Sequence, residues 1–171
     1  MNRIRVAGLS LSAAALIGLA VHEGYRDTAY IPVPGDVPTI DFGSTTHADG
    51  RPVRLGDKSD PIRGLIRLGQ HVDAKQRDLR ECIGDVPMHQ HEWDAMVSLA
   101  YNVGAGAVCR SSIPGKIRAE QYDAACKTIL DFDGFCARRD PVTRKCVERR
   151  VLPGLTKRRQ DEYRLCMGQA K

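Results

Sequence analysis

The run Val6–Val21, VAGLSLSAAALIGLAV, carries no charged side chain and follows a short basic start, Asn2-Arg3-Ile4-Arg5. No other feature constrains the fold as strongly. An uncharged run of this kind must enter a bilayer, be removed, or be buried against the rest of the chain. Spanning a bilayer takes roughly 20 apolar residues, so the run is short, and its Ala, Gly and Ser make it weakly lipophilic. A permanent anchor is therefore disfavoured. A cleaved signal peptide needs a small-residue cleavage motif, and Gly18-Leu19-Ala20-Val21 is a poor one. Cleavage there would also leave Glu23 on a frayed terminus. The expectation is an export segment that is kept, leaves the membrane and becomes the first helix of the domain, with a cleaved signal peptide as the alternative.

Length and charge narrow the rest. A chain of 171 residues suffices for one domain, or one domain split into two lobes around a cleft. Lys and Arg number 26 against 21 Asp and Glu, a formal charge of +5 that favours an anionic partner such as nucleic acid, acidic lipid or bacterial cell wall. Aromatic residues make up only 5%, which argues against a protein that stacks bases. The cysteines Cys82, Cys109, Cys126, Cys136, Cys146 and Cys166 show no CxxC spacing and no accompanying histidine pair, so zinc is disfavoured. An even number behind an export segment reads as disulfides. Cys136 and Cys146 bracket a turn at Asp140-Pro141 and are expected to pair locally, with Cys109–Cys126 and Cys82–Cys166 as the remaining bridges.

Along the chain, YIPVPGDVPTIDFGSTTHADGRPV is dense in Pro, Gly and β-branched residues. It reads as a small antiparallel sheet with turns near Pro34-Gly35-Asp36 and Asp49-Gly50-Arg51. Ser59-Asp60-Pro61 supplies a helix cap and an N-terminal proline for a long helix ending by Gly84. Pro87 restarts a second helix that buries Trp93, Met96, Val97 and Ala100 and stops at Gly104. His89 and His91 near its start read as exposed helix-end residues, since no third ligand accompanies them. Helical patterns around Ala119 to Leu130 and Leu155 to Met167 flank a basic loop, CARRDPVTRKC. The fold class is α+β, mostly helical with one small antiparallel sheet near the N-terminus.

Glu23, behind an apolar helix and within HEGYRDTAY, has the character of a general acid, because desolvation favours a protonated carboxyl. EGYRDTAY followed by VPTIDFGST resembles the signature of the phage lysozymes, glycoside hydrolase family 24. HEWDAMVSLAYNVGAGAVC and GLTKRRQDEYRLC continue the resemblance in the family's order over essentially the whole chain. The resemblance implies a lysozyme-like fold, a small β lobe of about 23–58, a linking helix of about 59–83 and a helical lobe of about 84–171, with the substrate cleft between sheet and helices. It also implies cleavage of the β-1,4 bond between N-acetylmuramic acid and N-acetylglucosamine in peptidoglycan, causing host lysis.

Carried over residue by residue, Glu23 matches the family's acid and Thr39 its threonine. The spacing that carries the family's aspartate lands on Pro32, and the segment to Thr39 is one residue longer than usual. Asp36 lies nearby at a turn. Asp41 stands where the family usually has glycine, and on an ideal strand it shares a face with Thr39, so it is the slightly preferred second carboxylate. The uncleaved segment 1–22 resembles that of signal-anchor-release endolysins, implying export to the periplasm with transient tethering to the inner membrane through residues 6–21. The expected partner is the glycan strand, with no nucleic acid, metal or cofactor, and the chain is expected to act as a monomer. Two alternatives are a lytic transglycosylase using Glu23 alone and a secreted, non-catalytic wall-binding or inhibitor protein.

Overall fold

The computed structural model describes residues 2–33 and 35–169. Among the described residues, seven α-helices and three two-stranded antiparallel sheets divide into two compact units: Met1–Leu11 with Lys75–Lys171, and Ser12–Ala74. The division falls after Leu11 and after Ala74. The apolar run is shared between the units, and the long helix passes from one to the other.

In Ser12–Ala74, helix α1 (Ala13–Glu23) starts where the Ser12 hydroxyl accepts Ala15 N–H at 3.1 Å. It stops at Gly24, whose φ of +70° an L side chain rarely adopts. Strands β2 (Arg26–Tyr30) and β3 (Thr39–Asp41) pair Arg26 with Asp41 and Tyr30 with Thr39, with a register irregularity between. Ala29, Ile40 and Val53 form the small core beneath this hairpin. Of the turn expected at Pro34-Gly35-Asp36, Pro34 lies outside the described residues; Asp36 N–H donates to Val33 C=O at 2.9 Å. The turn expected at Asp49-Gly50-Arg51 is present, closed by His47 N–H to Arg51 C=O at 2.8 Å. Helix α2 (Pro61–Ile83) is capped by the Asp60 carboxylate, which accepts the Ile62 and Arg63 amides at 3.0 Å each.

In the other unit, the first half of the apolar run is not helical as expected. Strand β1 (Ile4–Arg5) pairs with β4 (Pro87–Met88), and a 3-10 turn over Val6–Gly8 buries Val6 and then Leu9. Specific hydrogen bonds hold this segment. Gln76 Oε1 accepts both Leu11 N–H at 2.8 Å and Trp93 Nε1–H at 3.1 Å, and Arg80 donates to Leu9 C=O at 2.6 Å. Only the second half of the run keeps a helix, beginning where Ser12 supplies a cap. Among the described residues no helix is long and apolar enough to cross a membrane.

Helix α3 (Gln90–Val103) buries Trp93, Met96, Val97, Leu99 and Ala100 and ends at Gly104, where φ is +83°. It packs against α7 (Pro153–Cys166), with α4 (Ala105–Arg110), α5 (Ile113–Arg118) and α6 (Tyr122–Thr128) between them in sequence. His89 and His91 are half-buried rather than exposed. Their rings stack with centroids 5.2 Å apart, and His91 Nδ1 lies 2.9 Å from Cys166 C=O, so they join the start of α3 to the end of α7. The stretch read as a basic loop is a hairpin of β5 (Gly134–Arg139) and β6 (Cys146–Val151), so strands are not confined to the N-terminal sheet.

Cys136–Cys146 closes this hairpin as expected. The other two expected pairings are not formed. Cys82 bonds Cys109, and Cys126 bonds Cys166. Pairing follows packing: α6 lies against α7, bringing Cys126 and Cys166 together, while Cys82 in the last turn of α2 meets Cys109 of α4.

Candidate active site

The four candidate residues all belong to the Ser12–Ala74 unit. Glu23 is the last residue of α1, half-buried, with its side chain held close to the turn that follows β3. In that turn Ile40 and Ser44 exchange both backbone hydrogen bonds at 2.9 Å, bracketing Asp41, Phe42 and Gly43. Gly43 has φ +86°, and a Cβ there would lie 3.7 Å from Glu23 Oε2. Glycine thus provides the backbone geometry of the turn beside the carboxylate. Tyr25, just past the helix end, packs its ring on Phe42 with centroids 5.4 Å apart, fixing the turn against the chain that leaves Glu23.

Asp41 and Thr39 do not present themselves alike. Asp41 adopts φ +57°, the left-handed conformation that explains why glycine suits this position, so simple strand alternation ends there. Its side chain is 0% exposed and sits 3.0 Å from Arg67 Nη1, on α2. Gly64, one turn earlier, makes room: a Cβ there would come within 3.1 Å of Asp41 Oδ1 and 3.2 Å of Tyr25 Cε2. A sealed carboxylate of this kind touches no substrate in this conformation. Burial, reinforced by the Asp41 charge, also raises the Tyr25 phenol above its ordinary pKa.

Thr39 is buried and donates its hydroxyl proton to Val37 C=O at 3.1 Å. Asp36 lies in the connection between β2 and β3, exposed, its carboxylate accepting Val37 N–H at 2.8 Å. Thr39 and Asp36 therefore brace the same peptide segment from its two sides. Sequence reading missed Arg67, Gly43 and Gly64. Arg67 alone left a signal, as a charged residue next to Leu68 on the inward face of α2.

The phage lysozyme family model matches residues 20–162. The chain belongs to the phage lysozyme family. It is a lysozyme-type glycoside hydrolase, a phage endolysin that lyses peptidoglycan. The SAR-endolysin of Pseudomonas phage phiKMV is 31% identical over 157 residues, covering 91% of this chain and 87% of that protein. The SAR-endolysin of Haemophilus phage HP1 is 29% identical over 147 residues, covering 80% of this chain and 70% of that protein. Among solved structures, the endolysin from Escherichia coli O157:H7 phage FAHEc1 shares the fold, with a TM-score of 0.80 and 94% coverage of both chains at 24% identity.

Proposed function

We propose that Glu23 is the general acid that cleaves the β-1,4 bond between N-acetylmuramic acid and N-acetylglucosamine, with Asp36 as the assisting carboxylate. The protonated Glu23 carboxyl gives its proton to the glycosidic oxygen as the bond to the anomeric carbon breaks. Positive charge developing at that carbon is met by the second carboxylate, which also takes the proton of the attacking water. Asp36 suits that part because solvent reaches it, whereas Asp41 is sealed against Arg67. Thr39, through Val37, holds the segment that carries Asp36, and Asp41 fixes β3 to α2.

One observation carries the assignment of Glu23: it ends α1 half-buried, with its carboxylate beside the left-handed Gly43 turn that follows β3. Glu23→Gln keeps the shape and removes the acidic proton. It is expected to abolish turbidity clearing of outer-membrane-permeabilised Gram-negative cells while leaving the unfolding transition unchanged. Substantial clearing by Glu23→Gln would remove Glu23 from the role.

The same reading makes residues 6–21 an export segment that tethers the chain to the inner membrane on its way to the periplasm, as the names of the SAR-endolysin relatives suggest. Release lets Val6 and Leu9 bury in one unit and Ala13–Glu23 form α1 in the other, completing the site only off the membrane. The released enzyme acts as a monomer on glycan strands, without nucleic acid. Cell fractionation tests this: the full-length chain appears first with the inner membrane and becomes soluble, at unchanged mass, when the membrane potential is collapsed. A soluble, active product shortened by about twenty residues would identify an ordinary signal peptide instead.

A further inference from the structure

The β5–β6 hairpin takes no part in the core of its unit. No residue from 134 to 151 is buried. A lone two-stranded hairpin is marginal in water, and this one is held by specific bonds rather than by packing. The Cys136–Cys146 disulfide ties its strands, and the Asp140 carboxylate accepts the Val142 and Thr143 amides at 3.0 and 2.6 Å. Asp140 N–H donates to Lys145 C=O at 2.8 Å, and Arg144 N–H donates to Asp140 C=O at 3.0 Å. The tip is therefore a set shape on an exposed stalk.

The charge of the chain is concentrated there. From Gly134 to Val151 six basic side chains stand against two acidic ones, a net +4, while the whole chain carries +5. The rest of the sequence is nearly balanced. The carboxylates serve the stalk and the turn. Glu148 pairs with Arg150 at 3.1 Å and lies 3.6 Å from Arg138, Arg149 is held by Asp133 just before the hairpin, and Asp140 is taken up by backbone amides. Arg139, Arg144 and Lys145 are left with no ion pair among the described residues. Arg139 is nevertheless placed, its Nη1 donating to Arg144 C=O at 3.2 Å. In the same turn Val142 is 87% exposed, the highest value for a large hydrophobic side chain among the described residues.

We propose that the hairpin tip docks on a bilayer containing anionic phospholipid, with Arg139, Arg144 and Lys145 at the headgroup phosphates and Val142 entering the interface. Basic side chains ringing an exposed apolar one match a surface that is anionic outside and apolar beneath. A nucleic acid or a hydrated wall polymer meets the cations but has no apolar layer for Val142, and no aromatic ring stands at the tip to stack on a base. This contact is separate from residues 6–21 and goes beyond the release reading, since it operates whether that segment is kept or cleaved. It holds the soluble enzyme at the membrane face of the wall.

The oxidised full-length protein is expected to co-sediment with vesicles of phosphatidylglycerol and phosphatidylethanolamine, and far less with phosphatidylcholine alone. Binding is expected to fall as salt is raised toward about 1 M, where the screening length is about 3 Å. Arg139→Gln/Arg144→Gln/Lys145→Gln should lower partitioning by about tenfold or more, since each basic residue at such a surface contributes about fivefold. Arg54→Gln/Lys58→Gln/Arg77→Gln, which removes as many exposed charges elsewhere, should leave it nearly unchanged. Trp93 is fully buried and the chain's one tryptophan, so Val142→Trp adds an exposed reporter whose emission should shift to the blue on the anionic vesicles. Equal loss in the two triple variants, or an unshifted Val142→Trp spectrum on vesicles that bind the protein, would overturn the proposal. So would a tip variant that loses binding to purified peptidoglycan and keeps its vesicle binding, which would make the hairpin a wall contact.

Discussion

Replacing Asp41 by asparagine tests whether that carboxylate is structural. Its partner Arg67 is 3.0 Å away, and the two side chains are 0% and 7% exposed. Coulomb's law at that distance, with an effective dielectric constant of about 20, gives an attraction of about 5 kcal/mol. Asparagine recovers part of it through its amide oxygen, yet strands a buried guanidinium, and breaking such a pair from one side costs roughly 3–5 kcal/mol. All six cysteines lie outside Ser12–Ala74, so no disulfide cushions the loss there. Native-state hydrogen exchange should therefore show the amides of β3 and the first half of α2 exchanging far faster in Asp41→Asn, while amides around Trp93 change little. Adding Arg67→Met removes the stranded charge, so the double variant should regain at least half of the lost protection. Two results would refute the reasoning: an Asp41→Asn change within about 0.5 kcal/mol of wild type, which is the range of ordinary surface substitutions, or a double variant less protected than the single one.

Two glycines of α2 separate packing from helix propensity. Gly64→Ala should destabilise by about 1 kcal/mol or more, because its Cβ would meet Asp41 and Tyr25 at 3.1–3.3 Å, whereas Gly69→Ala, with nothing within 4 Å, should stabilise by up to about 1 kcal/mol. Thermal unfolding of both variants checks the signs. The Arg54 amide and the His47 ring hold the Asp57 carboxyl below the usual carboxylate range. Its folded pKa is depressed, so its contribution is present above the unfolded value of about 3.9 and fades as pH falls through the lower folded value. The stability difference between wild type and Asp57→Asn should accordingly be constant near neutrality and shrink below about pH 4, as measured by denaturant titration. Removing Cys126–Cys166, which closes 40 residues, should cost about 1 kcal/mol more than removing Cys136–Cys146, which closes 10. Peptide mapping without reduction should recover Cys82–Cys109 as the third bridge.

What could be read in advance was local chemistry. Asp60-Pro61 announces the start of α2, and Gly104 the end of α3, because caps and left-handed glycines act over a few residues. The apolar run was legible as helix-capable but not as divided, since its division depends on Gln76, itself held by Trp93, accepting from Leu11 and on Arg80 donating to Leu9, and those partners are distant in sequence. Disulfide pairing was legible only for Cys136 and Cys146, where a turn joins them; the other two bridges depend on which helices pack. Glu23 was visible through its motif. On an ideal strand Asp41 would share a face with Thr39, but a positive φ at Asp41 itself ends the alternation. Gly64 matters only through what it faces across the fold, which spacing does not record.

In the proposed mechanism Glu23 gives a proton to the glycosidic oxygen and water adds across the bond. Digestion of purified peptidoglycan in oxygen-labelled water, followed by mass spectrometry of the released muropeptides, tests it most directly. Reducing N-acetylmuramic acid ends carrying one labelled oxygen each, absent from the Glu23→Gln digest, are the predicted result. Unlabelled anhydro ends would contradict it and show that the sugar's own hydroxyl, not water, attacks the anomeric carbon.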